Sequence, residues 1–294
     1  MDGTLGGGAG TTGALSRLLE VPMRVARPEN QFQLAAKLTL VVLLLHSGVG
    51  GPTDIPIKLL VVVGFLWADV VLDWMYWLIA LFFLVYGNAP MWDLIDNHYY
   101  LITYWVASIV CILVSGSLDL SWNARALIAL TMLAAAFHKL LSPDYMSGEM
   151  FQHHLLLDGR FRGAAAVLTG LQLEDLEWNA HAWQAFVQSS SRADELWLRG
   201  AEEVGLLGLA LTWWGVLIEL VIGACFLLPQ RKVFMAIGNV SLLIFIVTTY
   251  FIASVVGFGW ILAVLGIAQC RPSQTRFRFA YLLSLFAVAV FPLV

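Results

Sequence analysis

Apolar runs close to the length of a membrane span recur along this chain of 294 residues. The pattern predicts helical spans over residues 34–50, 57–72, 73–90, 97–115, 122–141, 204–228, 233–254, 256–270 and 279–294. The alternating ten-residue pattern of a membrane β-barrel does not occur. Two stretches leave the count open. Residues 57–86 run on as one apolar segment, broken only by Asp69 and Asp73, and residues 233–270 as another, broken only by Gly257 and Gly259. Each reads as one long tilted helix or as two short ones. A span of 15 residues is only ~23 Å long, against a hydrocarbon core of ~30 Å.

Charge decides between these readings. Basic residues gather at Arg17, Arg24, Arg27 and Lys37, at Arg231 and Lys232, and at Arg271, Arg276 and Arg278. The positive-inside rule sets all three groups in the cytoplasm. Residues 142–203 carry ten acidic and four basic side chains, half of the 20 carboxylates in about a fifth of the chain. That segment is then outside, and reaching it from the cytoplasm takes an odd number of crossings. Both ambiguous stretches therefore split. The expected fold is an all-α polytopic membrane protein of about nine transmembrane helices, with seven the lower bound, and a short acidic extracytoplasmic helical insert. Its parts are a tail with an interfacial helix (1–32), a first helix group (33–141), the insert (142–203) and a second helix group (204–294). The expected location is a bacterial inner membrane.

Composition agrees. The chain is 60% hydrophobic and 12% charged, where a soluble domain is roughly 25% charged. The Gly/Thr-rich N-terminus lacks the apolar core of a signal peptide. The insert is too small and polar to bury a large core, and reads as a lid on the membrane. Within it "LEDLEWNAHAWQAF" and "SSSRADELWLRGAEEVGLL" predict helices, the second capped at Ser189–Ser191. Cys111, Cys225 and Cys270 form no CxxC or zinc spacing. No basic run suggests nucleic acid, and the sequence predicts no metal site. His153 and His154 next to Asp158 point to different helix faces, and no HExxH is present.

Ionisable groups at membrane depth are costly and so point to function. Glu219 falls mid-span in "LTWWGVLIELVIGACFLL". Asp69 and Asp73 read as a polar turn between short spans, and Lys37 and His46 as snorkelling anchors. In "IDNHYYLITYW", Asp96 or Asn97 can cap a helix, but a cap does not require the histidine that follows. His98 and the segment "FHKLLSPDY" lie on one side by the topology above, so His98, His138 and Lys139 can meet at one depth. A lysine withdrawn from water loses its proton more readily and can act as a base, and a neighbouring histidine can relay protons.

"NHYYL" (97–101), "FHKLLSPDYMSGEMF" (137–151) and "GVLIELVIGACFLLPQRKVFMAIG" (215–238) follow one another in the order of the HTTM-type membrane domain. The chain resembles that domain, the membrane region of the vitamin K-dependent γ-glutamyl carboxylase and its bacterial relatives, over roughly residues 73–270. The resemblance implies a lysine base acting towards a reduced quinone, matched by Lys139, and a nearby histidine, matched by Asn97–His98. It departs in three ways. Lys139 stands one residue further from Asp144 than the family's "K-L-D-x-D-W" pattern, with Tyr145 for tryptophan. A later histidine expected near Tyr250 and Phe251 is missing. The large extracytoplasmic peptide-presenting domain is missing as well.

Two function classes stay open. One is a membrane enzyme acting on a lipid-soluble or quinone-like molecule at the outer leaflet. Lys139 is its base, His98 and His138 its relays, and Glu219 a buried proton acceptor. Asn97, Tyr104, Trp105, Asp144 and Trp213 line its site. The other is a non-catalytic scaffold or carrier for a hydrophobic ligand, whose 142–203 lid docks a protein partner. A quinone-linked electron-transfer subunit of the DoxX class fits less well, because no CxxC or haem-ligand pattern occurs. Convergence of His98 and Lys139 on one cavity separates the first two.

Overall fold

The computed structural model describes residues 31–46, 53–93, 95–117, 119–188, 196–253, 255–271 and 273–290. The expected N-terminal tail and interfacial helix (1–30), the Ser189–Ser191 cap and the His46 side chain lie outside what it describes. Among the described residues the protein is all helical, with no strand.

Its thirteen described α-helices are α1 (Gln31–His46), α2 (Asp54–Leu66), α3 (Trp74–Asn88), α4 (Asn97–Ser115), α5 (Leu120–Leu141), α6 (Pro143–Met146), α7 (Glu149–Leu157), α8 (Arg162–Thr169), α9 (Leu173–Gln188), α10 (Ala201–Leu227), α11 (Lys232–Ile252), α12 (Val256–Gln269) and α13 (Thr275–Val290). Five of these segments are long and apolar enough to cross a membrane: 74–91, α4, α5, α10 and α11. α10, at 27 residues, reaches ~40 Å at 1.5 Å per residue. α1, α2, α12 and α13 are shorter, so five of the nine expected spans are matched by described helices of spanning length.

Both ambiguous apolar stretches do break. The first is interrupted between Trp67 and Asp73, with one 3₁₀ turn at Val70–Leu72. Asp73 caps α3 by accepting the Met75 N–H at 2.8 Å. The Tyr76 hydroxyl donates to Leu60 O at 2.7 Å and ties α3 back onto α2. The second stretch breaks between α11 and α12, where Ala253 and Val255 are not helical. There the Tyr250 hydroxyl donates to Val255 O (2.6 Å) and accepts the Gly259 N–H (2.9 Å). A Cβ at Gly259 would stand 1.9 Å from the Tyr250 ring, so only glycine leaves room for this tie.

α12 is the centre of the bundle. Ile261–Leu265, Ile267, Ala268 and Cys270 are fully buried, as a helix apolar on all sides should be. It packs against α13, α5, α1 and α11. The two ends of the bundle differ. At one, which we call the polar end, Gln31 Nε2 donates to Ala268 O and Cys270 O (2.7 and 2.8 Å), and Arg278 Nη2 donates to Gln31 Oε1 and Cys270 O (2.9 and 3.0 Å). Nearby, Asn239 Oδ1 accepts from Gln269 Nε2 (2.6 Å) and the Tyr281 hydroxyl (2.9 Å). The other end holds the start of α4, the end of α5 and the insert.

The insert is a lid of α6–α9 with a small core of its own. Leu155, Leu156, Phe161, Ala165 and Leu176 pack on Val204 and Leu211 of α10 and on Ala253. Gly148, at φ 85°, precedes α7, and a Cβ there would meet Leu209 N at 2.8 Å. A Cβ at Gly208 would meet Gly148 O at 2.9 Å. Two glycines therefore let the lid cross α10 in backbone contact. Of the two predicted lid helices, "LEDLEWNAHAWQAF" forms within α9. The second does not extend over its expected length: Leu196–Gly200 is not helical, and α10 starts at Ala201 after Gly200 at φ 76°.

Candidate functional site

The most extensive helix contact among the described residues is between α5 and α10, and small residues bring the two backbones together. Gly215, Glu219 and Gly223 recur every four residues on one face of α10. A Cβ at Gly223 would strike Leu133 of α5 at 2.6 Å, and one at Gly215 would stand 3.8 Å from Lys139 Nζ. Backbones brought together by small residues are a common membrane helix interface. Here the interface also carries charge. Lys139, in the last turn of α5, donates to Glu219 Oε1. Glu219 is 3% exposed and its Oε2 is buried without a hydrogen-bond partner. The Lys139 side chain keeps 16% of its exposure.

This pair borders a cavity of about 680 Å³ at the lid end, within the size range of small-molecule sites. Residues from α4, α5, α6, α7, α10, α11 and α12, with the α7–α8 and α11–α12 links, enclose it. Its apolar wall includes Leu101, Leu211, Phe245 and Phe258, and its polar wall holds His98, His138, Lys139, Tyr145 and Glu219. His98 is buried against Tyr99, with ring centroids 4.2 Å apart. The Tyr145 ring centroid lies 6.0 Å from Lys139 Nζ. Burial pushes the Tyr145 hydroxyl above its usual pKa, and the nearby Glu219 charge adds to the shift.

The lid closes the remaining side with a second charged cluster. Arg160 grips Asp158 through Nη2 at 2.7 Å and Nε at 3.1 Å, a bidentate geometry. His154 Nδ1 lies 3.2 Å from Asp158 Oδ2, and its ring stacks on Phe161 at 5.0 Å. Burial lowers the His154 pKa, although the Asp158 carboxylate opposes the shift. For Asp158, burial favours the neutral acid, but the Arg160 hydrogen bonds and charge overcome it and hold the pKa below the usual value.

Lys139, His98, His138, Glu219, Asn97 and Tyr104 all line this one cavity. Three other expected site residues do not. Trp105 is fully buried and donates from Nε1 to Thr39 Oγ1 of α1 at 2.8 Å. Asp144 is outside the lining, where its neighbour Tyr145 stands. Trp213 is 44% exposed, and Trp214 lines the cavity in its stead. Helical arithmetic carries that last distinction: Leu211, Trp214, Gly215 and Glu219 share a face, and Trp213 points away from it. The lid residues His154, Arg160 and Phe161 were not expected, because nothing local in the sequence folds α7 and α8 back over the end of α5.

Compared with protein-family models, with curated proteins and with solved structures, the chain matches none.

Proposed function

We propose that this protein is an HTTM-like membrane enzyme that moves a proton to or from a lipid-soluble, quinone-like molecule. The observation that carries this reading is the Lys139–Glu219 pair facing a largely apolar cavity shared with His98 and His138. A pair shielded from water can exchange its proton internally. With that proton on Glu219, Lys139 is a neutral amine and takes a proton from the substrate. The proton on Glu219 then leaves through His98 or His138. Tyr104 (54% exposed) and Trp214 (42% exposed) line the cavity and also reach the surface, which suits entry from the bilayer. Two charge pairs at the cavity are already matched, Lys139 with Glu219 and Arg160 with Asp158, while the carboxylate of Asp96 in the lining is exposed. A neutral amphiphile therefore suits it better than an ion.

The same reading takes the chain through the membrane nine times, with the short helices α1, α2, α12 and α13 completing the passes. The acidic insert then lies outside the cytoplasm, in a bacterial inner membrane, and is free to dock a protein partner. Support for this comes from the basic residues Lys232, Arg271 and Arg276 at the end of the bundle away from the insert.

Deuterium exchange tests the activity. Wild-type and Lys139→Arg protein are incubated with total membrane lipid in deuterated water, and the lipids are read by mass spectrometry. The expected result is one lipid-soluble species that takes up deuterium with wild type only, since Arg cannot become neutral. Uptake that persists in Lys139→Arg removes Lys139 as the base. No enzyme-dependent uptake, with a lipid co-purifying on wild type, favours the second reading. That reading is a carrier, and its support is the apolar wall of the cavity.

A further inference from the structure

Arg125 lies in the second turn of α5 from the polar end, far from the cavity. It is 8% exposed, yet its side chain makes no hydrogen bond to any described residue, and Nη1 is fully buried without a partner. Two charged side chains share this end of the bundle: Asp119, just before α5, and Arg271, in the link between α12 and α13, which the Ser121–Gln269 bond holds against the first turn of α5. Asp119 is engaged elsewhere, since its carboxylate caps α5 through the Ser121 N–H at 2.9 Å. The neighbouring polar groups are also committed. Ser121 Oγ donates to Gln269 O at 2.7 Å, and the Arg271 N–H donates to Gln274 Oε1 at 2.8 Å.

A buried guanidinium that shares its end of the bundle with a second cation, and has no bonded anion among the described residues, is unfavourable in a membrane bundle. Such a group calls for an anion with several acceptor oxygens, and guanidinium matches phosphate in shape as well as in charge. α5 starts at Leu120, so Arg125 lies only ~7.5 Å along the helix axis from its first residue. That is within reach of the headgroup layer, where phosphates are abundant. Arg271 is exposed at the same end and can take the outer side of the same group.

We propose that Arg125 and Arg271 form a phosphate-binding site at the polar end of the bundle, distinct from the cavity. Its ligand is a phosphate mono- or diester, carried either by an anionic phospholipid or by a soluble phosphate.

Thermal unfolding of the full chain in nanodiscs tests it. The lipid is the phosphate-free digalactosyldiacylglycerol alone, that glycolipid with phosphatidylglycerol, or that glycolipid with inorganic phosphate exchanged for chloride at constant ionic strength. Wild type is expected to gain about 5 °C in Tm with one of the two anions. Arg125→Gln should lose that gain. Arg271→Gln, on the surface and without risk to the fold, should lose at least half of it. A gain from phosphatidylglycerol alone identifies a lipid headgroup as the source, and a gain from inorganic phosphate identifies a soluble anion. No gain from either anion, or a gain that both variants keep in full, overturns the site.

Discussion

The two ends of this bundle bury polar groups in opposite ways. At the polar end, most side-chain donors go to backbone carbonyls or to a shared amide. Gln31 and Arg278 close the last turn of α12 through Ala268 O and Cys270 O, and Asn239 gathers Gln269 and Tyr281. At the lid end, Lys139 and Glu219 satisfy each other across a helix interface and leave one carboxylate oxygen unmatched beside a cavity. The first arrangement fixes helix positions and needs every member. The second holds charge where a ligand fits and contributes little to the fold. Of these two arrangements, only the Lys139–Glu219 pair has its groups placed where a ligand in the cavity can reach them.

Breaking the lid-end pair on one side has the largest expected effect. Lys139→Met leaves Glu219 as a buried charge and should cost about 3–5 kcal/mol. The double change Lys139→Met/Glu219→Leu removes both charges and should recover most of that loss, while any turnover stays absent. Unfolding in detergent measures both. A double variant as unstable as the single one would make the pair structural, like its counterpart at the polar end.

Asn239→Leu is the matching test at that other end. It removes an acceptor from Gln269 and Tyr281, both fully buried. The expected cost is about 2–3 kcal/mol, with turnover unchanged in the protein that remains folded. Loss of activity at full stability would erase the contrast between the ends. A smaller effect is expected from Gly148→Ala, where a positive φ of 85° and the contact with Leu209 N oppose any side chain. It should cost about 1–2 kcal/mol, seen first as faster proteolysis of the lid.

Both breaks followed only from the odd number of crossings that the charge distribution demanded, since Gly257 and Gly259 lie inside α12 rather than at the break; most of the helices were legible directly, because apolar length is a local signal. Lys139, His98 and Glu219 could be singled out for the same reason: each is a polar group in an apolar run. Their pairing was not legible. It depends on Gly215 and Gly223 lowering the distance between α5 and α10, and a small-residue stripe does not name its partner helix. Trp105 was misassigned to the cavity because an aromatic at membrane depth reads the same whether it faces a ligand or donates to Thr39. In the lid, His153, His154 and Asp158 were read only as an unsuitable metal site, and Arg160 was not singled out. The role of the lid cluster over the cavity follows from the Gly148–Gly208 crossing, which brings together segments some 60 residues apart.

The smallest expected effect is a pH dependence confined to the lid. Burial lowers the His154 pKa in the folded protein below its usual value of 6.5, so the unfolded lid binds a proton more readily than the folded one. Stability from this group is complete above pH 6.5 and is lost as pH falls from there through the lowered folded value. Asp158 follows the same direction, but in a window that begins only below its usual 3.8. Amide exchange over residues 149–169, taken relative to the intrinsic rate at each pH, should therefore rise between pH 7 and pH 5.5, while that over α12 and α13 stays constant. The change should be modest, because Asp158 offsets part of the burial penalty on His154. His154→Phe keeps the stacking on Phe161, removes the titrating group, and should flatten the profile. An equal rise in α12 would show that acid loosens the whole bundle, and the two ends would then not be independent. A profile unchanged in His154→Phe would move the origin of the effect to another group in the lid.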